Sequence, residues 1–157
     1  MSLDGVARDV IDTNRYLTLG TTGSDHRPRV SPVYYTHAGY RTFYWVSSPR
    51  SRHSANIAER PQVAIVIFDS TAAVGRAQAV YLDAIAAEAA DEELSWRCAE
   101  AFAHVGPGAY AFRPDELRGD ATLRLYHAHA TTIEIHIPAR DPEYGTGVDS
   151  RRPVVPY

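Results

Sequence analysis

Three strand-like runs joined by very short connections constrain this chain more than any other feature. Tyr16 to Thr22, Arg29 to Thr36 and Arg41 to Ser47 are rich in β-branched and aromatic side chains, which suit a pleated surface. Gly23-Ser24-Asp25 and His37-Ala38-Gly39 supply the turns between them. Connections this short cannot carry a parallel crossover, so the runs predict an antiparallel meander. Pro32 lies inside the second run and offers no amide donor, which places that strand at a sheet edge or at a bend.

The third run leads directly into VSSPRSRHSANIAERP, residues 46–61. A helix starts here, capped either by Ser48 with Pro49 in the first helical position or by Ser51. Ala55, Ile57 and Ala58 can face a core, and Pro61 marks the stop. A helix start presents unpaired backbone N–H groups and the positive end of the macrodipole, and Arg50, Arg52, His53 and the serines add donors to it. The crowding is what a phosphate dianion requires. The plainer reading is an exposed capped turn whose arginines sit in water.

Further along, QVAIVIF (62–68) is a near-continuous apolar run and predicts a strand buried on both faces. AVYLDAIAAEAA (79–90) fits a helix by its alanines and a strand by its alternation. Asp91-Glu92-Glu93 offers a cap and first-turn acids to a helix carrying Leu94, Cys98, Ala101, Phe102 and Val105 on one face, ended by Gly106-Pro107-Gly108. Leu123 to Ile137 predicts a long strand, with Leu123, Leu125, His127, His129, Thr131, Ile133, Ile135 and Ile137 on one face. Leu3, Val6, Val10 and Ile11 predict an N-terminal helix within residues 1–14, and residues 138–157 a tail that is mobile or draped on a partner.

A length of 157 residues suggests one domain spanning 1–157, and 45% hydrophobic with 22% charged residues is an ordinary globular balance. The net charge of -3 argues against a general nucleic-acid binder. Cys98 is the only cysteine, so neither an internal disulfide nor a thiolate zinc site is expected. With no signal-like start and no run long enough to span a membrane, the expected location is the cytoplasm. His127 and His129 have no carboxylate at ligand spacing, so no metal is expected. Neither a nucleophile elbow nor a P-loop is present.

From Tyr16 to Tyr126 the order of elements is specific: the meander, RVSPVY on its second strand, a hydroxyl ending the third, Ser51-Arg52-His53, then Asn56 and Pro61 ahead of an apolar strand. This arrangement resembles the flavin-binding split-barrel family that includes pyridoxamine 5'-phosphate oxidase. The resemblance implies a mainly β (α+β) fold, a six-stranded antiparallel Greek-key split barrel with a few flanking helices, and makes residues 79–87 a strand. It implies an FMN-dependent oxidoreductase acting on a small molecule, a homodimer with the flavin at the subunit interface. Ser51, Arg52 and His53 fall at the family's phosphate-binding Ser-Arg-Lys, with histidine for lysine; Ser47 falls at a neighbouring hydroxyl position and Val46 just before it. The backbone of Arg29, Val30, Ser31, Pro32, Val33 and Tyr34 would line the isoalloxazine edge, with Arg29 reaching toward the phosphate or ribityl chain, and Gln78 corresponds to a flavin-contacting glutamine. Two departures speak against oxidation of pyridoxamine phosphate: Tyr34 replaces a lysine, and the C-terminal Arg-x-His is missing. Two alternatives stay open on the same fold. One is a reductase using a 5-deazaflavin coenzyme, whose acidic tail Arg50, Arg151 and Arg152 would hold; the other is a non-catalytic flavin- or haem-binding module.

Overall fold

The computed structural model describes residues 1–157. Helix α1 (Leu3–Thr13) is capped by Ser2, whose hydroxyl accepts the Gly5 amide at 3.1 Å, and it buries Ala7, Val10 and Ile11. Strands β1 (Tyr16–Thr22) and β2 (Pro28–Tyr34) pair antiparallel along their whole length, from Tyr16 opposite Tyr34 to Thr22 opposite Pro28. A short β3 (Thr36–Ala38) turns back into β4 (Thr42–Ser47), followed by α2 (Arg52–Glu59), β5 (Gln62–Phe68), β6 (Ala79–Glu88) and α3 (Leu94–Ala101). Strands β7 (Arg124–Ile137) and β8 (Ser150–Pro153) complete the chain.

All eight strands join one antiparallel sheet in the order β2-β1-β5-β6-β7-β4-β3, with β8 on the free stretch of β7 beyond β4. The sheet curls until β2 touches β4, giving a split barrel of six main strands and two short ones. β2 is an edge, as Pro32 requires. The main core fills the curl with Leu17, Leu19, Phe43, Trp45, Ile65 and Leu82 among its members. A smaller cluster of Tyr44, Leu94, Cys98, Leu117 and Leu125 fastens α3 to the other face of β4 and β7. No helix is long and apolar enough to cross a membrane.

Several expectations change in the folded chain. β5 is buried on one face only: Val63, Ile65 and Ile67 point inward while Ala64 and Phe68 are exposed. Within this chain no layer covers its outer face. The long strand β7 does not keep one face throughout. Asp83 pairs with Thr132 and Ala84 with Ala130, leaving Thr131 as an extra residue. This bulge reverses the alternation, so Tyr126, Ala128 and Ala130 reach the main core before it and Ile133, Ile135 and Ile137 after it. His127 and His129 therefore lie on the α3 side and do not interrupt the apolar face.

The second run breaks at Tyr35 into β2 and β3, and the turn falls at Gly39-Tyr40 instead of His37-Ala38-Gly39. Both turn residues have positive φ (57° and 56°), and the Arg41 amide closes the turn onto the Ala38 carbonyl at 3.2 Å. A tyrosine is strained there; its hydroxyl donates to Asp12 on α1 at 2.9 Å, a contact that holds it. Helix α3 ends at Ala101, before the Gly-Pro-Gly turn, and a 3-10 turn at Asp91–Glu93 precedes it without a side-chain cap. The tail packs on its own chain, with Ser150–Pro153 paired to β7 and Val154 buried.

Candidate functional site

The end of β4 and the start of α2 build one wall of a cavity. Ser51 is the N-cap of α2, its hydroxyl accepting the Ser54 amide at 3.3 Å, so of the two capping choices the chain uses Ser51. The Ala55 amide bonds to the Ser51 carbonyl, and the amides of Arg52 and His53 have no partner within the chain. His53 Nε2 lies 2.9 Å from Ser47 Oγ and 3.2 Å from Ser51 Oγ, so the three side chains form one hydrogen-bonded cluster. Burial pushes the His53 imidazole below its ordinary pKa and favours the neutral ring. The positive charge near this helix start is that of Arg50 and Arg52, which are exposed and make no salt bridge. Asn56, from the same motif, acts structurally, since its amide donates to Thr21 Oγ1 at 3.0 Å and ties α2 to β1.

The cavity has a volume of about 600 Å³, within the usual range for small-molecule sites. Ser47 and His53 line it at one end, Pro32, Val33 and Tyr34 contribute the β2 wall, and Val46 lies beside Ser47. Ser51 and Arg52 lie at the helix start and do not line the cavity. Arg29, Val30 and Ser31 do not line the cavity; Val30 is exposed on the outer face of the sheet, and Arg29 lies 3.5 Å from Asp25. Gln78 is exposed in the loop before β6 and is not brought to the cavity either.

Other lining residues carry no local signal in the sequence. Thr36, Tyr44 and Trp45 reach the cavity through strand register, Arg15 from the bend between α1 and β1, and the segment after α3 covers it with Pro107, Gly108 and Tyr110. Gly108 has φ +80°, which the cover needs to turn. Tyr34 Oη accepts the Gly106 amide at 3.2 Å and so fastens this cover to β2. Tyr44 does the same for α3: its hydroxyl donates to Glu100 and accepts from Arg97 at 3.3 Å. Burial, then the Glu100 contact, push the Tyr44 hydroxyl up to about 12, so it stays protonated. His127 packs beside Tyr44, and burial together with Arg97 lowers its pKa to about 4. Two buried polar atoms on lining residues, Trp45 Nε1 and Thr36 Oγ1, have no hydrogen-bond partner in the chain. Native proteins seldom leave such groups unmatched, and a ligand's acceptor atoms would complete them.

The sequence model of the pyridoxamine 5'-phosphate oxidase family matches residues 3–136. The chain belongs to this family. No curated protein sequence matches it. Among solved structures, a haem-binding protein from Mycobacterium smegmatis superposes with a TM-score of 0.70 at 18% identity, over 98% of this chain. The chain spans 58% of that protein's length. The haem storage protein HutZ from Vibrio cholerae gives a TM-score of 0.59 at 19% identity, covering 83% of this chain and 91% of HutZ. An F420 reductase gives 0.57 at 14%, covering 80% and 94%. At these identities the structural likenesses establish the fold, the split barrel of the pyridoxamine 5'-phosphate oxidase family.

Proposed function

We propose that the chain binds FMN in this cavity and serves as a flavin-dependent oxidoreductase for a small molecule. The observation that carries the reading is the start of α2: two free amides and the Ser47–Ser51–His53 cluster stand at the wall of a cavity of ligand size, with Arg52 exposed at the same helix start. FMN suits these groups, because its phosphate matches the helix start and its ring acceptors match the orphaned Trp45 Nε1. Bound FMN would supply hydride or electron exchange. The protein's own part is placement. Arg52 and the α2 amides hold the phosphate, while the serine hydroxyls donate to it at short range. A dianion beside His53 would oppose the effect of burial and favour the protonated ring. The β2 wall and the cover that carries Pro107, Gly108 and Tyr110 would flank the ring.

The site is completed by a second copy of the chain in this reading. The outer face of β1, β5 and β6 exposes Phe68 and Ile85 together with Val30 from β2, an apolar surface that a homodimer would cover. A deazaflavin with an acidic tail is less well served. Arg151 stacks over Tyr81 at 3.6 Å and Arg152 over Tyr144 at 5.0 Å, both on β8, and neither lines the cavity.

Titration of the purified protein with FMN, the deazaflavin coenzyme and haemin, followed by visible absorption, tests the reading. A saturable shift of the flavin bands at micromolar FMN is expected, followed by reduction of the bound flavin by a nicotinamide donor. A Soret band with haemin and no response to FMN would overturn it.

A further inference from the structure

Beside the cofactor cavity lies a second compartment of about 580 Å³, and the two share Arg15, Tyr34, Thr36 and Pro107 in their walls. Ser47 and His53 belong to the first alone. Thr36 pairs with Tyr44 across the β3–β4 hairpin, and Ser47 lies three residues further along β4. The junction is therefore roughly 10 Å from the phosphate end, at about 3.3 Å per strand residue.

We propose that this junction is a subsite for the carboxylate of a small organic acid, held by the Arg15 guanidinium and the Thr36 hydroxyl. The inference rests on the FMN reading above, because it places the substrate next to the flavin ring. Arg15 makes no salt bridge, although Asp12 is three residues away. That carboxylate is occupied: His37 Nε2 lies 2.9 Å from one of its oxygens and Tyr40 Oη 2.9 Å from the other. The Arg15 backbone is set by its carbonyl, which accepts the Tyr35 amide at 3.1 Å. Thr36 Oγ1 is buried at the same junction with neither donor nor acceptor satisfied. A guanidinium with a hydroxyl beside it matches a carboxylate, which takes a fork of donors and one more.

The charge balance selects a monoanion. Asp12 itself lines the second compartment, its carboxylate engaged by His37 and Tyr40, and Arg15 is the one arginine in that wall, so a dianionic phosphate is poorly compensated there. The phosphate end of the first cavity has the helix start, with Arg50 and Arg52 exposed beside it. The two compartments thus divide two anions of different charge between them. Tyr16, Tyr34 and Pro107 form an apolar surround for the carbon skeleton of the acid.

Benzoate and the neutral benzamide are suitable probes, since they differ in charge and little in shape. Their binding is followed in cofactor-free protein by amide and indole NMR shifts, and in FMN-loaded protein by flavin absorbance. Benzoate is expected to bind saturably and at least tenfold more tightly than benzamide. Arg15→Gln removes that preference, Arg15→Lys restores part of it, and Thr36→Val weakens benzoate several-fold. Equal binding of the two probes, or a benzoate preference that survives Arg15→Gln, overturns the subsite. Because the NMR arm needs no flavin, failure of FMN to bind would count against the cofactor reading alone.

Discussion

His127 illustrates how one side chain can couple pH to the stability of the whole chain. Packed between Tyr44 and the Arg97–Glu93 pair, it is held neutral by burial, then by Arg97, with a pKa of about 4 against an ordinary 6.5. The unfolded chain takes up this proton first as pH falls. Its contribution to stability is therefore complete above about pH 6.5 and is lost progressively toward pH 4. The ring is partly solvated, so the loss is about 1–2 kcal/mol, a shift of several degrees in Tm for a chain of this size. Thermal melts of the wild type and His127→Gln between pH 7.5 and 4.5 should diverge, the wild type losing more on acidification; parallel curves would refute the assignment. At this scale the legible residues are those close together in the chain. Ser47, Ser51 and His53 span one turn and one helix start, so their convergence follows from local structure. Thr36 and Tyr44 meet through the β3–β4 register and Arg15 joins them from the bend before β1, an arrangement no short pattern encodes.

At the scale of elements, alternation and apolar runs locate β1, β2, β4, β5 and β7 within a residue or two, because burial of one sheet face repeats every second residue, whereas β6 also fits a helix by its alanines and the short β3 and β8 carry too few residues for a pattern. The bulge at Thr131 escapes for the same reason. One inserted residue reverses inward and outward positions, and a run of Leu, His, Thr and Ile looks continuous until its partner strand is known. Deleting Thr131 is expected to force a choice between pairing β6 and burying Ile133, Ile135 and Ile137. The variant should lose cooperative unfolding by circular dichroism and calorimetry, whereas Thr131→Ala, which keeps the extra residue and removes only its hydrogen bond to the Asp83 carbonyl, should melt within a few degrees of the wild type. A deletion that melts like the wild type would mean the bulge is dispensable. The cover is a second element whose role is hidden in the sequence. Gly106-Pro107-Gly108 reads as a helix stop, and its use as a cavity roof depends on a long-range bond to Tyr34. Tyr34→Phe frees the Gly106 amide, so hydrogen exchange at residues 103–110 should speed up while β1 and β5 remain protected; unchanged exchange would contradict the latch.

For the molecule as a whole, the apolar run 62–68 reads as a strand covered on both sides, and only one side is covered within the chain. The sequence therefore carries information about a surface that a single copy leaves open. If a homodimer closes it, Val66→Asp on the outer face should shift sedimentation from dimer to monomer and weaken flavin binding with it, because the site borders the interface in the proposed reading. A wild-type protein that sediments as a monomer would contradict this. The central claim, that the start of α2 holds a phosphate, is tested most directly by comparing FMN with riboflavin, which lacks only that group. Charge-assisted hydrogen bonds of about 1.5–3 kcal/mol each make FMN tighter by roughly a hundredfold or more. Arg52→Ala should erase about tenfold or more of the difference by weakening FMN alone. Equal affinity for the two flavins, or an Arg52→Ala variant that keeps the full preference for FMN, would contradict the account.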